Sequence, residues 1–453
     1  MTNLNENKYF FQKLILIGVP VVLQNLISMG LNLIDTLMIG MVGEEQLAAV
    51  GAANQVYFIF TISLFGLYSG AAVHTAQYWG AKDIDGIKKL LGMDYVVGFV
   101  FASVVTLGAF IFAPQLIRIF SDSPVVIGYG VDYMRIACFS YVFAGFSFAI
   151  SYNSRAIQNL KVPTIINAVA LCINAVLNYI LIFGKLGMPV MGVKGAAIAT
   201  LIARVLEIIF LLIFVYRKKD HPFYAGPREL MSFEKDLFKS VMRTALPVVF
   251  TEGSWAVSMA LIFAAYGKLG TSALAVAQVA NVVTDLIQSL YFGVGNATAM
   301  LIGETLGQQN KEQAYQYGKK TSRITKVLNI FITIFLILIS KPVANIYHFN
   351  TETTDLLVTV LCVMALLITP KMIAYMYIVG ILRAGGDTVF CMKLELICNL
   401  CIQVPLAYIA VLVLHLSLPW AMVFIEIGDI IRIGTCVPRF RSKKWINIVT
   451  RER

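Results

Sequence analysis

The sequence has few charged side chains. Only 13% of its 453 residues are Asp, Glu, Lys or Arg, whereas a soluble domain carries about 25%. Apolar residues make up 58% of the chain and form runs of roughly 20, long enough to cross a bilayer as helices. A transmembrane barrel would instead show short alternating segments. The composition therefore predicts an all-α polytopic membrane protein.

Histidine clusters, an extracellular disulfide framework and nucleotide-binding motifs are also missing, and the CxxC pair of Cys398 and Cys401 lies within an apolar run, where a structural role is expected. The four histidines are scattered, without the cluster of His, Asp or Glu that a membrane enzyme would need. The seven cysteines lie in or beside apolar runs, so no extracellular disulfide framework is visible. No Walker A sequence is present. We therefore expect a protein that is not an enzyme, has no cofactor and does not use ATP directly.

The apolar segments and the basic residues together predict a topology. About twelve segments occur, approximately at 14–40, 47–76, 91–113, 129–152, 162–184, 194–216, 243–267, 273–303, 324–346, 356–380, 388–412 and 416–436. Lys and Arg are concentrated in every other connection, and this bias marks the cytoplasmic side. The sequence therefore predicts a multi-pass protein of the cell membrane with both termini in the cytoplasm. The net charge of +11 is assigned to this topology and not to nucleic-acid binding, for which no motif is present.

The two halves of the chain are repeats. Pro20 and Pro247 begin similar segments, and the same offset of 227 residues pairs Gly40 with Gly267 and Asn54 with Asn281. The predicted domains are an N-terminal six-helix bundle at 1–216, a cytoplasmic linker at 217–242, a C-terminal six-helix bundle at 243–440 and a cytoplasmic tail at 441–453. Repeated halves of equal orientation around a central cavity are typical of alternating-access carriers.

Polar residues recur on single helix faces inside these segments. In the first span the spacing of Asn25, Ser28, Asn32 and Asp35 is 3, 4 and 3, and in the fifth span Asn167, Asn174 and Asn178 also share a face. Such stripes either join helices or face a wet cavity. An acidic residue in mid-span costs roughly 2.5–3.5 kcal/mol on insertion scales and by default marks an ion or proton pathway. Asp35 in the first span and Glu252 in the seventh are therefore candidate functional residues.

Other ionisable residues have simpler interpretations. Asp94, Glu304, Glu395 and Asp429 fall near predicted cytoplasmic helix ends, where we expect them to be solvated. Asp132 and Arg135 are expected to pair near an outer helix end. Arg204 and Glu207, three residues apart, are expected to neutralise each other.

Several motifs resemble the MATE family, the multidrug and toxic compound extrusion transporters of the MOP flippase superfamily. In the first span they are Pro20, Asp35, Thr36, Met38, Gly40, Gly43, Leu47, Ala48, Ala49 and Gly51. The segments "AQYWGAKD" (76–83) and "GETLGQQN" (303–310) resemble the motifs that follow helices 2 and 8 of the family. The segments "SRAIQNLKVP" (154–163) and "ILRAGGDT" (381–388) resemble those after helices 4 and 10. The resemblance covers essentially the whole chain.

The resemblance implies a cation-coupling site in the first half. It assigns to this site Asp35, Asn174, Asn178 and Thr200, with Pro20 as a helix kink and Na+ as a possible ligand of Asp35, Asn174 and Asn178. Glu252 matches an acid that the sodium-coupled branch pairs with an aspartate, but this chain has Met372 at that position, beside Lys371. A lysine there can pair with Glu252, Asp285 or Glu426. The sequence thus predicts one clear cation site and an altered second one.

Aromatic and polar residues are the candidates for a substrate cavity. We assign to it Asn32, Tyr57, Trp255, Asp285, Gln288, Tyr291, Phe292 and Tyr375. Aromatic rings with a few carboxylates suit lipophilic cations.

The predicted function is a cation-coupled (H+ or Na+) multidrug antiporter that exports organic, often cationic, compounds by alternating access and works as a monomer. Its partners would be small organic molecules and the lipid bilayer. The alternative is a lipid or oligosaccharide flippase-like carrier of the same superfamily. That alternative requires a cationic cavity for phosphates, whereas the polar stripes here are neutral or acidic.

Overall fold

A computed structural model describes residues 2–346 and 349–448 of the chain, so residues 449–453 of the predicted tail lie outside the described part. Within that part every regular element is helical and no strand occurs, which confirms the all-α prediction. The residues divide by packing into two compact units. The first-half unit is Pro20–Arg243. The second-half unit contains the residues through Val19 together with those from Thr244 onward.

Nine helices of the described chain begin in the first half. They are α1 (Thr2–Gly40), α2 (Glu44–Gly80), α3 (Ile84–Ile111), α4 (Ala113–Arg118), α5 (Pro124–Ala137), α6 (Phe139–Ala156), α7 (Lys161–Phe183), α8 (Gly192–Tyr216) and α9 (Pro227–Leu230). Helix α1 is continuous through Pro20, which lies at the unit boundary and whose ring removes one helical hydrogen bond. The predicted kink at Pro20 stays a prediction.

Eight further helices follow in the described part of the chain, from the end of the linker onward. They are α10 (Lys235–Gly267), α11 (Thr271–Gly307), α12 (Lys311–Ile346), α13 (Thr351–Tyr375), α14 (Thr388–Leu396), α15 (Val404–Tyr408), α16 (Leu418–Ile425) and α17 (Ile427–Arg441). Helices α13, α14 and α15 continue as π-helical segments at Met376–Leu382, Ile397–Gln403 and Ile409–Val413. Such π-helical turns are rare and are frequent at functional sites.

All twelve predicted spans fall on helices. Ten helical segments of the described chain are long and apolar enough to cross a membrane, and the pair α5–α6, bent by 47°, makes up to eleven. The twelfth predicted span corresponds to α16 and α17, which contain Glu426, Asp429 and Arg432. Large apolar side chains such as Leu33, Phe331 and Leu338 are more than half exposed, as expected of a surface that faces lipid.

The duplication seen in the sequence extends to the helix boundaries. Helix α2 runs from 44 to 80 and α11 from 271 to 307, and both boundaries differ by 227. The same offset relates the starts of α3 and α12 and of α7 and α14. It also relates two cap side chains, since Asp83 accepts from the Gly86 N–H and Asn310 accepts from the Gln313 N–H, each at 3.0 Å. The two halves therefore repeat in local geometry as well as in sequence.

The predicted linker is folded onto the first half. Phe223 is 1% exposed and packs with Leu211 and Val215 of α8 in an apolar core, and α10 begins at Lys235, inside the predicted linker. The predicted limits of the two six-helix bundles stay a prediction. The two compact units are defined by contacts between residues, whereas the bundles are defined by membrane spans.

Candidate functional site

The first-half unit contains a cavity of about 380 Å³. Six helices line it: α1, α2, α5, α6, α7 and α8. Its polar lining residues are Asn32, Asp35, Thr36, Asn54, Tyr57, Thr61, Tyr133, Ser140, Tyr141, Asn174, Thr200, Arg204 and Glu207. Five residues predicted from the sequence, namely Asn32, Asp35, Tyr57, Asn174 and Thr200, therefore face one space.

Asp35 lies at one end of a chain of side-chain hydrogen bonds. The Asn178 amide Nδ2 donates to Asp35 Oδ1 and lies 3.4 Å from Asn174 Oδ1. Asn174 Nδ2 in turn lies 3.4 Å from the Thr200 hydroxyl, which donates to the Ala196 carbonyl at 3.0 Å. The four predicted cation-coupling residues of the first half are thus connected across α1, α7 and α8.

The acceptor of Asn178 is unused. Asn178 is fully buried, and its Oδ1 has no hydrogen-bond partner among the described residues. A buried polar atom without a partner costs about 1–3 kcal/mol, and such orphans in native structures call for a ligand or a functional explanation. Beside the Asp35 carboxylate, an amide oxygen of this kind is a suitable ligand for a small cation or a hydronium-like group.

The other charges of the cavity neutralise each other. Arg204 Nη1 donates to Glu207 Oε2 at 2.6 Å, as predicted from their spacing, and Arg204 Nη2 donates to the Tyr57 hydroxyl at 3.2 Å. Glu207 also accepts from Asn167 Nδ2 at 3.0 Å. Among the described residues that line the cavity, Asp35 is therefore the one carboxylate without a basic partner.

One wall of the cavity is aromatic. The rings of Tyr57 and Tyr141 lie 5.3 Å apart, and Tyr141 stacks on Phe60 at 4.9 Å. Aromatic faces carry partial negative charge and attract organic cations. This wall and Asp35 give the cavity a preference for positive charge.

Glu252, the predicted coupling residue of the second half, has a different environment. Arg383 Nη2 donates to Glu252 Oε1 at 2.9 Å, and both side chains are largely buried. Of the three acids offered as partners of the lysine, Glu252 pairs with Arg383 instead, and no lysine nitrogen of the described residues lies within 4 Å of its carboxylate. Lys371 instead acts electrostatically on Asp285 and Glu426. Glu252 is thus neutralised from within the chain.

The predicted substrate residues of the second half are dispersed. Tyr291 is fully buried in the apolar core and donates its hydroxyl to Asn329, so its predicted position on a cavity wall is wrong. The rings of Phe292 and Tyr375 pack edge to face at 5.4 Å. Trp255 and Gln288 are half-buried and Asp285 is exposed. The cavity role of these last five residues stays a prediction.

Three acids expected to be solvated are buried. Glu395 and Asp429 both pair with Arg432, with Glu395 Oε1 at 3.2 Å from Arg432 Nε. Asp94 is 1% exposed and accepts from Asn153 Nδ2 at 2.8 Å. The expectations failed because distance from a helix end does not reveal which neighbouring element covers it.

A fourth expectation about surface charge was also wrong. Asp132 pairs with Lys194 at 3.2 Å and not with Arg135. Lys194 belongs to α8, so the partner comes from another helix and not from the next turn of the same one.

Several cavity residues were missed from the sequence. The missed residues Asn54 and Thr61 lie with the predicted residue Tyr57 at spacings of 3 and 4 along α2, and together they form a polar face of the kind recognised in the first span. Tyr133 and Tyr141 carry no comparable signal, since aromatic residues are common throughout the apolar runs. In the described part of the chain no three His, Cys, Asp or Glu side chains are grouped as a metal site.

Comparisons with known proteins agree with the duplicated architecture. The model of the MatE family matches residues 20–180 and 247–409, and the two matched segments start at the prolines that begin the sequence repeat. Similar proteins include a probable multidrug resistance protein NorM from Thermotoga maritima, 25% identical over 98% of this chain and 95% of its own length. Another is the probable multidrug resistance protein YoeA from Bacillus subtilis, 23% identical over 74% of this chain and 73% of its own.

Solved structures share the fold. A structure described as MATE in the bent conformation has a TM-score of 0.87 and 21% identity, covering 96% of each chain. A MOP superfamily transporter from Pyrococcus furiosus, described as having a binding pocket of reversed polarity, has a TM-score of 0.84 and 21% identity, covering 95% of this chain and 96% of its own. The likeness confirms the predicted twelve-helix layout in two repeats.

Proposed function

Because the chain belongs to the MatE family, we propose that it is a multidrug efflux antiporter driven by H+ or Na+ that exports organic, often cationic, compounds by alternating access. The relatives named as multidrug resistance proteins support the efflux part of this proposal. The coupling part rests on the cavity of the first-half unit.

The observation that carries the coupling is the position of Asp35. Its carboxylate is the uncompensated charge of a cavity that is otherwise neutral, and Asn178 brings an unused acceptor beside it. A carboxylate can bind either a proton or, with neighbouring amide and hydroxyl oxygens, a Na+ ion. Asn174, Asn178 and Thr200 supply such oxygens without adding negative charge, so a Na+ site here would contain a single anionic ligand.

Coupling requires that ion and drug bind the outward-facing and inward-facing states with different affinities. When Asp35 is charged, the cavity and its aromatic wall attract an organic cation. When Asp35 is protonated or holds Na+, its negative charge no longer attracts the organic cation. Asn178, which begins the chain of hydrogen bonds to Thr200, then faces a neutral carboxyl or a bound ion. Each ligand would therefore weaken binding of the other, which is the thermodynamic condition for exchange.

Glu252 is not part of this proposal as a free coupling acid. The buried Arg383 supplies permanently the positive charge that a bound cation would otherwise supply. We therefore assign coupling to the first half and a structural role to the Glu252–Arg383 pair.

The test uses purified protein in liposomes loaded with buffer, with ethidium accumulation as the readout. A pH gradient and a Na+ gradient are imposed separately. We expect one of them to drive accumulation and Asp35→Asn to abolish it, whereas Glu45→Gln, a change of an exposed acid at the start of α2, leaves it unchanged. Driven transport by Asp35→Asn at the wild-type rate would exclude the coupling role, and lack of transport under both gradients by the wild type would exclude ion-driven efflux of this cation.

A further inference from the structure

Asp94 on α3 is a second carboxylate of the first-half unit without a basic partner. Its side chain is 1% exposed. It accepts one side-chain hydrogen bond, from Asn153 Nδ2 on α6 at 2.8 Å, and no Lys, Arg or His nitrogen of the described residues lies within 4 Å of it. An isolated buried carboxylate is costly, and proteins remove the cost by pairing or neutralising the group.

The amide that faces Asp94 is held in one orientation. Thr75 on α2 donates its hydroxyl to Asn153 Oδ1 at 2.5 Å, and Asn153 Nδ2 also donates to the Ala149 carbonyl at 2.9 Å. With its oxygen occupied by Thr75, Asn153 presents N–H to Asp94. An N–H group supports a carboxylate but is not a ligand for a metal cation. The orientation of Asn153 therefore disfavours a metal cation at Asp94 and leaves a proton as the ligand that its carboxylate can bind.

The other elements around Asp94 add no cation. Two titratable groups interact with Asp94, the Tyr68 side chain of α2 and the Tyr95 side chain of α3, and neither is a cation. Toward α9 and the start of α10 this part of α3 packs against uncharged groups, the Leu230 backbone beside Gly92 and the Val241 side chain in one apolar cluster with Met93. Nothing described in this shell neutralises the charge.

Separate hydroxyl groups on and beside α6 lie between this site and the cavity that holds Asp35. Tyr141 lines the cavity, and Asn153 lies twelve residues further, about 18 Å at 1.5 Å per residue. Between them the Tyr68 hydroxyl donates to the Gly145 carbonyl at 2.9 Å and lies 3.5 Å from the Asp94 carbonyl. The Ser147 hydroxyl is buried and has no hydrogen-bond partner among the described residues.

We propose that Asp94 is a second proton-binding residue of the transport cycle, which receives the proton after it leaves Asp35. In this step the Asp35 carboxyl loses H+ and becomes a carboxylate, and the proton converts the Asp94 carboxylate to the acid by way of hydroxyl groups and water. No electron is transferred. The proposal rests on the proposed function and specifies H+ as the driving ion.

The experiment separates proton-driven accumulation from simple exchange. Wild type, Asp94→Asn and Asp85→Asn are placed in liposomes, and ethidium uptake is measured under a pH gradient and as counterflow against internal unlabelled ethidium at equal pH. Asp85 is an exposed acid in the first turn of the same helix and is the matched control. We expect gradient-driven ethidium accumulation by Asp94→Asn to be about 5- to 150-fold lower than that of the wild type. The rate of counterflow should be the same in both.

The outcomes distinguish this inference from the proposed function. If Asp94→Asn accumulates ethidium like Asp85→Asn while Asp35→Asn does not, the role of Asp94 is excluded and coupling at Asp35 stands. If the wild type shows no pH-driven accumulation, proton coupling itself fails and so does this role. Equal loss of counterflow and driven accumulation by Asp94→Asn would mark a structural residue and also overturn the proposal.

The proposal can still be tested if Asp94→Asn does not fold. Asp94→Glu keeps a carboxyl, and we expect it to retain driven transport with a shifted pH profile; an unshifted profile would overturn the proposal. Infrared difference spectra between acidic and alkaline pH give a second readout, because a protonated carboxyl has its own C=O band. One such band should disappear in Asp94→Asn and remain in Asp85→Asn.

Discussion

The Glu252–Arg383 pair gives the sharpest prediction outside the first-half cavity. At 2.9 Å and an effective dielectric constant of about 20, the two charges attract by about 6 kcal/mol. Desolvation costs several kcal/mol for each ion, so the pair as a whole contributes little net stability. Removing one partner is different, because it leaves the other charge buried alone at a cost of about 3–5 kcal/mol. Arg383→Met should therefore lower the free energy of unfolding by that amount.

The assay is thermal unfolding of the purified protein in detergent, for both single variants and for Glu252→Gln combined with Arg383→Met. We expect the double variant to be more stable than Arg383→Met, since the neutral amide no longer needs a counter-charge. Arg118→Met, at an exposed arginine, is the control for loss of a basic residue and should change stability by less than about 0.5 kcal/mol.

Two results would refute this reasoning. Additive effects of Glu252→Gln and Arg383→Met would mean that the residues do not stabilise each other. Loss of gradient-driven transport by the folded double variant would mean that Glu252 is a coupling residue, as in the sodium-coupled pattern it resembles, and not a structural partner of Arg383.

Three further predictions test particular positions. Asn178→Asp places a second carboxylate beside Asp35 and should strengthen Na+ dependence of transport, measured as a lower half-saturating Na+ concentration; an unchanged value would exclude Asn178 from the ion site. Burial lowers the pKa of His221 below its ordinary value, so its contribution to stability is complete above about pH 6.5 and declines as pH falls; His221→Gln should flatten thermal stability between pH 7 and pH 5. A Cβ at Gly92 would overlap the backbone of Leu230, whereas one at Gly108 meets nothing within 4 Å, so Gly92→Ala should destabilise α3 packing by about 1–3 kcal/mol and Gly108→Ala should raise the melting temperature slightly.

Features that depend on residues close together in the chain could be predicted from the sequence. Run length located all twelve helical regions, and the 227-residue offset found the duplication later seen in the matched ends of α2 and α11. The polar faces of α1 and α7 were recognised by their spacing, and the structure joins Asn178 of one to Asp35 of the other. Helical spacing shows which residues share a face of a helix. It therefore helps to predict side-chain contacts wherever that face packs against a single neighbouring helix.

Side-chain pairs between helices that are distant in the chain could not be predicted from the sequence. Glu252 and Arg383 are 131 residues apart, and their meeting depends on the rotation of two helices about their own axes. The burial of Asp94 had a similar cause, since its side chain packs against Asn153 of α6, 59 residues later in the chain. A composition that predicts a solvated helix end contains no information about another helix that covers it.

The two halves have similar folds but differ in whether their buried acidic residues have basic partners. In the second half, the buried acids Glu252, Glu395 and Asp429 each contact an arginine, and an arginine stays protonated and supplies a permanent positive charge. In the first half, Asp35 and Asp94 have only amide partners, so their charge can change without leaving a buried cation unpaired. The positions 227 residues later are Ile262 and Thr321, which cannot titrate. Among these five acids, the two without a basic partner thus lie in the first copy of the duplicated scaffold, and a cycle driven by protons at Asp35 and Asp94 would change the electrostatics of that half.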